Sequence, residues 1–222
     1  MNNAYNIFQQ SVANIKKFGC IYDKLCRDYP ILITDLDDML RAQVVYVVSA
    51  MDCYFHDVVR QGIIESYLQQ RAQTAKWKST AVTMENAQTL VGIEMQYPPN
   101  TPQRTVDVVN SLNNIIRPIL KTMSFQQSDK IKDALSYIWD EQHKMQSIAT
   151  SIAYPLQGDN INDKVRCLEQ KLKLIIDRRN KIAHEADWDY TRDCKQAISK
   201  ADVDDIVFFI EMFVNAIHIK IL

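Results

Sequence analysis

The segment from Arg179 to His184 carries side chains whose types and spacing could act on a phosphodiester. At about 100° per residue of a helix, Arg179 falls near the centre of an apolar stripe, where a buried charge is costly unless it is paired. Asn180 and His184 stack on the adjacent face, which Asp177 shares. A guanidinium, an amide and an imidazole are therefore expected to converge beside an apolar seam. Arg179, Asn180 and His184 are called the motif residues below.

The chemistry of Arg179 and His184 suits the cleavage of RNA by its own 2′-hydroxyl. That reaction needs a proton taken from the hydroxyl, a proton given to the leaving oxygen, and stabilisation of charge on the phosphorane. Histidine titrates near neutral pH and can act as base or acid, and arginine grips phosphate oxygens through two parallel hydrogen bonds. No cluster of Asp, Glu, His or Cys has the spacing of a metal site. We therefore expect a site without a metal or other cofactor.

A second set of polar residues lies on one face of an early predicted helix. Asp52 stands in an apolar stripe there, together with Arg41 and His56. In one interpretation Asp52 orients Arg179 or His184, or Arg41 and His56 widen the phosphate site. In the other, an internal salt bridge between Asp52 and Arg41, or another arginine, only shapes the bundle. The sequence leaves both open, and Asp177 joins Asp52, Arg41 and His56 as a candidate supporting residue.

Two aromatic residues follow the motif, and two histidines stand alone. Trp188 and Tyr190 could stack an RNA base, although residues of this kind more often cap a core. His143 and His218 are better explained by surface or core packing than by a ligand role.

The composition favours long helices and limits the kinds of partner. Hydrophobic residues make up 47% of the 222 residues, with only four glycines and six prolines, which disfavours a many-stranded β fold. Because the net charge is −1, the chain lacks the strongly basic character of many nucleic-acid binders, and any RNA contact is expected to be local. The five cysteines lack CxxC spacing, so reduced thiols in a cytoplasmic protein are expected. No apolar stretch is long enough for a membrane span.

Helix signals along the chain predict the elements that would position these residues. Thr34, with Asp37 three residues later, offers an N-cap, and Ser199 with Asp202 offers another. The segment from Tyr97 to Pro102 is the clearest loop. Helices are predicted over about 4–27, 35–61, 63–76, 84–95, 105–120 and 129–153, from 159 or 162 to 185, and from 199 to the end.

The stretch from Ile175 to Asp187 resembles the RiboL-PSP-HEPN branch and the related MAE-type branch of the HEPN superfamily. Within it, the motif residues resemble the R-x(4–6)-H motif, including the polar residue that directly follows the arginine. The early helix, with its run from Ser49 to His56, and the closing apolar helix are also similar to the family. The resemblance covers most of the chain in outline, whereas residues of about 75–150 are unmatched.

This resemblance implies an all-α fold, a HEPN-like helical bundle in one domain over 1–222, with additional helices inserted at about 75–150. HEPN domains usually pair as dimers whose motif helices form one RNA-cutting cleft, and many act as toxins or in phage defence beside an antitoxin. Arg179 and His184 match the catalytic pair, and Asn180 matches the supporting position. We therefore expect a homodimeric endoribonuclease, with RNA as a partner and an antitoxin or other regulatory protein as a further candidate partner. The alternatives are a catalytically silent module that binds RNA or protein, and a plain helical scaffold in which Arg179 is a structural charge.

Overall fold

The structure, a computed structural model, describes residues 2–30, 33–121, 123–125 and 127–222, apart from the side chains of residues 33–35. Within these ranges the chain is helical, with one short antiparallel strand pair. The helices are α1 (Asn2–Asp28), α2 (Ile33–Tyr67), α3 (Ala75–Lys78), α4 (Met84–Gln96), α5 (Pro102–Lys121), α6 (Ser128–Leu135), α7 (Lys144–Ser151), α8 (Ile161–Glu185) and α9 (Lys200–Ile221). The strands are β1 (Trp188–Asp189) and β2 (Cys194–Lys195). The predicted all-α class is confirmed.

Helix α2 lies at the centre of the bundle and contacts α1, α5, α6, α8 and α9. Its buried residues recur every three or four positions, the spacing of one helix face. They include Leu40, Val44, Val48, Met51, Phe55 and Val59. Each such burial stabilises the fold by roughly 1.5–3 kcal/mol before entropy is subtracted, so this face holds the bundle together. The cap predicted at Thr34 lies outside the side chains that the structure describes.

Helix α9 begins where the sequence predicts. The hydroxyl of Ser199 accepts a hydrogen bond from the backbone N–H of Asp202 at 3.1 Å, which satisfies one of the free donors of the first turn. Further along, Phe209 and Phe213 are fully buried and lie with their rings nearly parallel, 6.1 Å apart. Among the described residues, no helix has both the length and the apolar character that spanning a membrane requires.

A buried polar cluster joins α1, α2 and α9 near the end of the bundle. The ring of His218 stacks on Tyr5 at 3.9 Å, and its Nδ1 lies 3.2 Å from the hydroxyl of Tyr54. The hydroxyl of Tyr5 donates to Asn215 Oδ1 at 2.9 Å. Burial lowers the pKa of His218, because the charged imidazolium would lose its water there. His218 therefore has a packing role, as the sequence predicts.

The predicted helix over 63–76 is wrong. Helix α2 continues to Tyr67, Gln69 then takes a left-handed conformation with φ 58°, and the short helix α3 begins only at Ala75. The intervening loop is fixed by Arg71, whose guanidinium donates to the carbonyls of Ile138 and Ile221 at 3.1 and 2.7 Å. These partners are distant in sequence, so the local apolar pattern carried no sign of them.

The single helix predicted over 129–153 is also wrong, because the structure divides it into α6 and α7. Thr74 donates its hydroxyl to the carbonyl of Ser136 at 2.7 Å, and Arg71 binds the carbonyl of Ile138. Side chains from another part of the chain thus occupy carbonyls just past the end of α6. The helices predicted over 84–95 and 105–120 are confirmed as α4 and α5. That residues 75–150 form an insertion stays a prediction.

Candidate functional site

The last two turns of α8 carry all three motif residues. Asn160 caps the start of the helix, its side-chain oxygen accepting from the N–H of Asp163 at 3.0 Å. Near the other end, Arg179 is half-buried and its Nη1 donates to Asn180 Oδ1 at 3.0 Å. His184 follows one turn later and is exposed. The guanidinium is therefore oriented by the neighbouring amide, while the imidazole is open to solvent.

A cavity of about 430 Å³ opens beside this end of α8. Its lining includes Ile176 and Asn180 from α8, with Met123, Ser124, Gln127 and Lys130 from the α5–α6 connection and α6. A volume of this size lies in the range of small-ligand pockets. Asn180 thus contacts both the guanidinium of Arg179 and a space in which a ligand group fits.

Asp52 and His56 hold the segment that lines this cavity. Asp52 Oδ1 accepts a hydrogen bond from the backbone N–H of Phe125 at 2.9 Å. Its Oδ2 lies 3.6 Å from His56 Nε2, and the His56 ring lies 4.5 Å from the Phe125 ring. These contacts fix Phe125 next to the lining residues Met123 and Ser124. That Asp52 orients a motif residue stays a prediction.

Arg41 is buried, and its partner is Asp187. Its Nε donates to Asp187 Oδ2 at 2.8 Å, and its Nη2 to the carbonyl of Gln196 at 2.6 Å. Its Nη1 lies 3.2 Å from Asp38 Oδ1. Arg41 therefore forms an internal salt bridge, as one interpretation predicted, but its partners are Asp187 and Asp38 in place of Asp52. The idea that Arg41 widens a phosphate site is corrected as well, because the side chain is 6% exposed and its donors are bound within the chain.

Asp177 lies on the solvent side of α8. It is exposed and accepts from Lys173 Nζ at 3.2 Å, one turn earlier. Ion pairs of this exposed i,i+4 kind contribute little to stability. Its supporting role at the site stays a prediction.

The residue that sequence analysis missed is Asp187, which ends the motif helix. Ala186 and Asp187 both adopt left-handed backbone conformations, with φ of 49° and 61°, and the Asp187 N–H donates to the carbonyl of Lys181 at 3.1 Å. Glycine normally takes such positions at helix ends, so two consecutive other residues there hold strain of roughly 1 kcal/mol each. A further stabilising contact is therefore expected at this point.

Two arginines supply that contact. The Asp187 carboxylate is fully buried, and its Oδ2 accepts from Arg41 at 2.8 Å and from Arg178 at 2.7 Å. Arg178 also binds the Gln196 side chain and donates to the carbonyl of Ala197 at 3.0 Å. The sequence signals for this cluster were Arg178 near the end of the helix and the lack of a glycine after Glu185, whereas nothing local pointed to Arg41.

A short hairpin leaves the site directly after Asp187. In it Trp188 pairs with Lys195 and Asp189 with Cys194, and Asp193 takes a left-handed φ of 52° in the connecting loop. The Asp189 carboxylate accepts from the N–H and hydroxyl of Thr191 at 2.9 and 2.6 Å, and these hydrogen bonds lower its pKa. The hairpin is therefore held by its own contacts as well as by its base.

The aromatic residues of the hairpin face solvent. Trp188 is 36% exposed and Tyr190 is 78% exposed. Tyr190 therefore does not cap a core, and the expectation for Trp188 stays a prediction. In the part of the chain that the structure describes, no three His, Cys, Asp or Glu side chains are grouped as metal ligands.

A family model described as RiboL-PSP-HEPN matches residues 14–222. No curated protein and no solved structure matches the chain significantly. The matched range includes α2, the motif helix α8 and the closing helix α9, and it confirms the resemblance drawn from the sequence. The chain belongs to the RiboL-PSP-HEPN family.

Proposed function

We propose that this protein is a metal-independent endoribonuclease of the HEPN type. Membership of the family supports an RNA-related function. The observation that carries the finer proposal is the arrangement on α8: Arg179 is bonded to Asn180 at 3.0 Å, Asn180 lines a cavity, and the exposed His184 lies one turn further on.

The proposed reaction is cleavage by the substrate's own 2′-hydroxyl. A base removes the proton from O2′, O2′ attacks phosphorus, and the bond from phosphorus to O5′ breaks as an acid protonates O5′. The products are a 2′,3′-cyclic phosphate and a 5′-hydroxyl. Arg179 stabilises the charge on the phosphorane oxygens, Asn180 orients Arg179, and His184 transfers protons.

A homodimer would supply both proton-transfer groups. Each chain places one histidine at the exposed end of α8, whereas the reaction uses a base and an acid. Two copies that meet through their motif helices would bring two His184 side chains into one groove. A toxin or phage-defence role held in check by an antitoxin would follow from such an activity.

The test is RNA cleavage by His184→Ala in a metal chelator. We expect the variant to lose cleavage by at least about 100-fold, the scale on which removal of acid–base catalysis acts, while circular dichroism stays helical. His143→Ala is the matched control, because His143 is an exposed histidine at the start of α7. If His184→Ala cuts RNA as fast as the parent, the catalytic proposal is wrong.

The second candidate is a catalytically silent HEPN module that binds RNA or a protein. The contacts of Asp52 and His56 favour this candidate, because both side chains bind Phe125 and so have a structural role, where a catalytic site would use them to support the motif residues. If the wild-type protein binds RNA but produces no 2′,3′-cyclic phosphate ends, this candidate is supported.

A further inference from the structure

The hairpin over residues 188–195, called the aromatic hairpin here, exposes aromatic surface that the proposed reaction does not use. The three tryptophans differ in their surroundings. Trp77 donates its indole N–H to the carbonyl of Ile63 at 3.1 Å, and Trp139 packs against the core. Trp188 is the most exposed of the three, and Tyr190 beside it is 78% exposed. Exposed aromatic rings at one place are typical of a binding surface.

The base of the aromatic hairpin is rigidly fixed. The N–H of Gln196 donates to the carbonyl of Asp187 at 2.8 Å, and Arg41 binds the Gln196 carbonyl. Lys195 adds a contact to Asp38 at 2.7 Å. A backbone held in this way loses little conformational freedom when the surface binds a ligand, so the positions that carry Trp188 and Tyr190 are set in advance.

The aromatic hairpin lies next to the proposed catalytic histidine. Trp188 is four positions after His184, so their Cα atoms are at most about 14 Å apart even for an extended chain. The left-handed turn at Ala186 and Asp187 shortens this path. A strand of RNA whose phosphate lies at His184 therefore passes within reach of the aromatic rings.

The charges of the aromatic hairpin favour bases over phosphates as its ligand. Arg192 is 80% exposed and lies 3.7 Å from Asp189, and the acidic Asp193 is also exposed. This balance is not a basic groove that tracks a phosphate backbone. Stacking on aromatic rings needs no net charge, and it requires bases that are not paired, since the faces of paired bases are covered in a duplex.

We propose that the aromatic hairpin binds unpaired bases of single-stranded RNA by stacking on Trp188 and Tyr190. The inference rests on the proposed function for its substrate class. It concerns binding, however, and binding is measured separately from cleavage. The substrate of the site is then single-stranded RNA or a loop, and duplex RNA is a poor ligand.

The test is the binding of a fluorescein-labelled 12-nucleotide RNA of mixed sequence to the protein with His184→Ala, followed by anisotropy. Adding Tyr190→Ala or Trp188→Ala is expected to weaken binding about 10-fold each, within the range for loss of one stacked base. Tyr190→Phe and Trp188→Phe keep an aromatic face at each position and are expected to bind within about twofold of the parent. Tyr46→Ala is the matched control, because Tyr46 is 57% exposed on α2.

Two further readouts separate stacking from a general loss of structure. The slope of affinity against salt concentration should be the same in Tyr190→Ala as in its parent, because no phosphate contact is removed. A duplex formed from the same RNA should bind weakly and respond little to either alanine variant. Tyr190 lies in the hairpin loop and is 78% exposed, so its variant is expected to fold.

The outcomes distinguish this inference from the proposed function. If Tyr190→Ala and Trp188→Ala bind single strands as tightly as their parent, the inference is wrong, even where the wild type cuts RNA. The inference is also overturned if duplex RNA binds as tightly as the single strand. The same holds if the alanine substitutions abolish binding of a protein partner and leave RNA binding unchanged. If the alanine variants lose single-strand binding while the wild type yields no cleaved RNA, the inference stands and the proposed function fails.

Discussion

Arg178 and Arg179 are neighbours on one helix, yet Arg178 binds Asp187 whereas Arg179 binds Asn180. Arg178 binds the buried Asp187 carboxylate and the Gln196–Ala197 segment, so its charge is used to hold the chain together. Arg179 is bonded to Asn180, which lines a cavity. A sequence motif shows that an arginine is present but not what it contacts. The difference teaches that two arginines in a single turn can have different partners, and that only their contacts tell them apart.

The largest effect should come from removing the carboxylate on the structural side. Asp187→Ala removes the buried carboxylate that Arg41 and Arg178 share, and breaking a buried pair costs about 3–5 kcal/mol of stability. We expect a loss of that size in urea unfolding. Asp177→Ala, on the solvent face of the same helix, should change stability by less than about 0.5 kcal/mol. Equal unfolding midpoints for Asp187→Ala and the wild type would contradict the structural role.

Conservative replacement of each arginine should separate the two roles further. Arg179→Lys is expected to slow RNA cleavage about 100-fold, because an ammonium cannot reproduce the two parallel hydrogen bonds to phosphate. Arg178→Lys is expected to lower unfolding free energy by about 1.5–3 kcal/mol through weaker bonds to Asp187 and Gln196. Initial cleavage rates and urea curves measure the two effects. If Arg179→Lys and Arg178→Lys both change only the cleavage rate, or both change only the unfolding free energy, the distinction between the two arginines is wrong.

The smallest effect concerns pH, where the buried His218 contrasts with the exposed His184. Burial lowers the pKa of His218 in the folded state, so the unfolded chain takes up a proton first as pH falls. The stability that depends on a neutral His218 is fully present above about pH 6.5, the ordinary pKa of histidine. It is lost progressively as the pH falls below that value. The slope is at most about 1.4 kcal/mol per pH unit for one proton.

His218→Gln should flatten the pH dependence of unfolding between pH 5 and 7 and leave the pH profile of cleavage unchanged. Urea unfolding across that interval checks the first expectation, and cleavage rates at the same pH values check the second. If the unfolding free energy of His218→Gln changes with pH as steeply as that of the wild type, another group causes the pH dependence.

The sequence predicted the helical class, the start of α9 and the extent of α8, because capping residues and apolar periodicity are local signals. The break between α6 and α7 escaped prediction, since the carbonyls just past α6 are bound by Thr74 and Arg71 from a distant part of the chain. The partner of Arg41 escaped for the same reason, because Asp187 is 146 residues away in sequence. Motif residues identify a candidate site, whereas the contacts that fix it are long-range.

The pair of left-handed residues at the end of α8 makes the site inseparable from the rest of the bundle. Neither Ala186 nor Asp187 favours that backbone by itself, and the carboxylate that secures the turn depends on Arg41 from α2. An excised peptide spanning 161–197 would lack this arginine and would fray at its end. If the R-x(4)-H segment were grafted onto another helix, an arginine equivalent to Arg41 would have to be grafted with it to keep this turn.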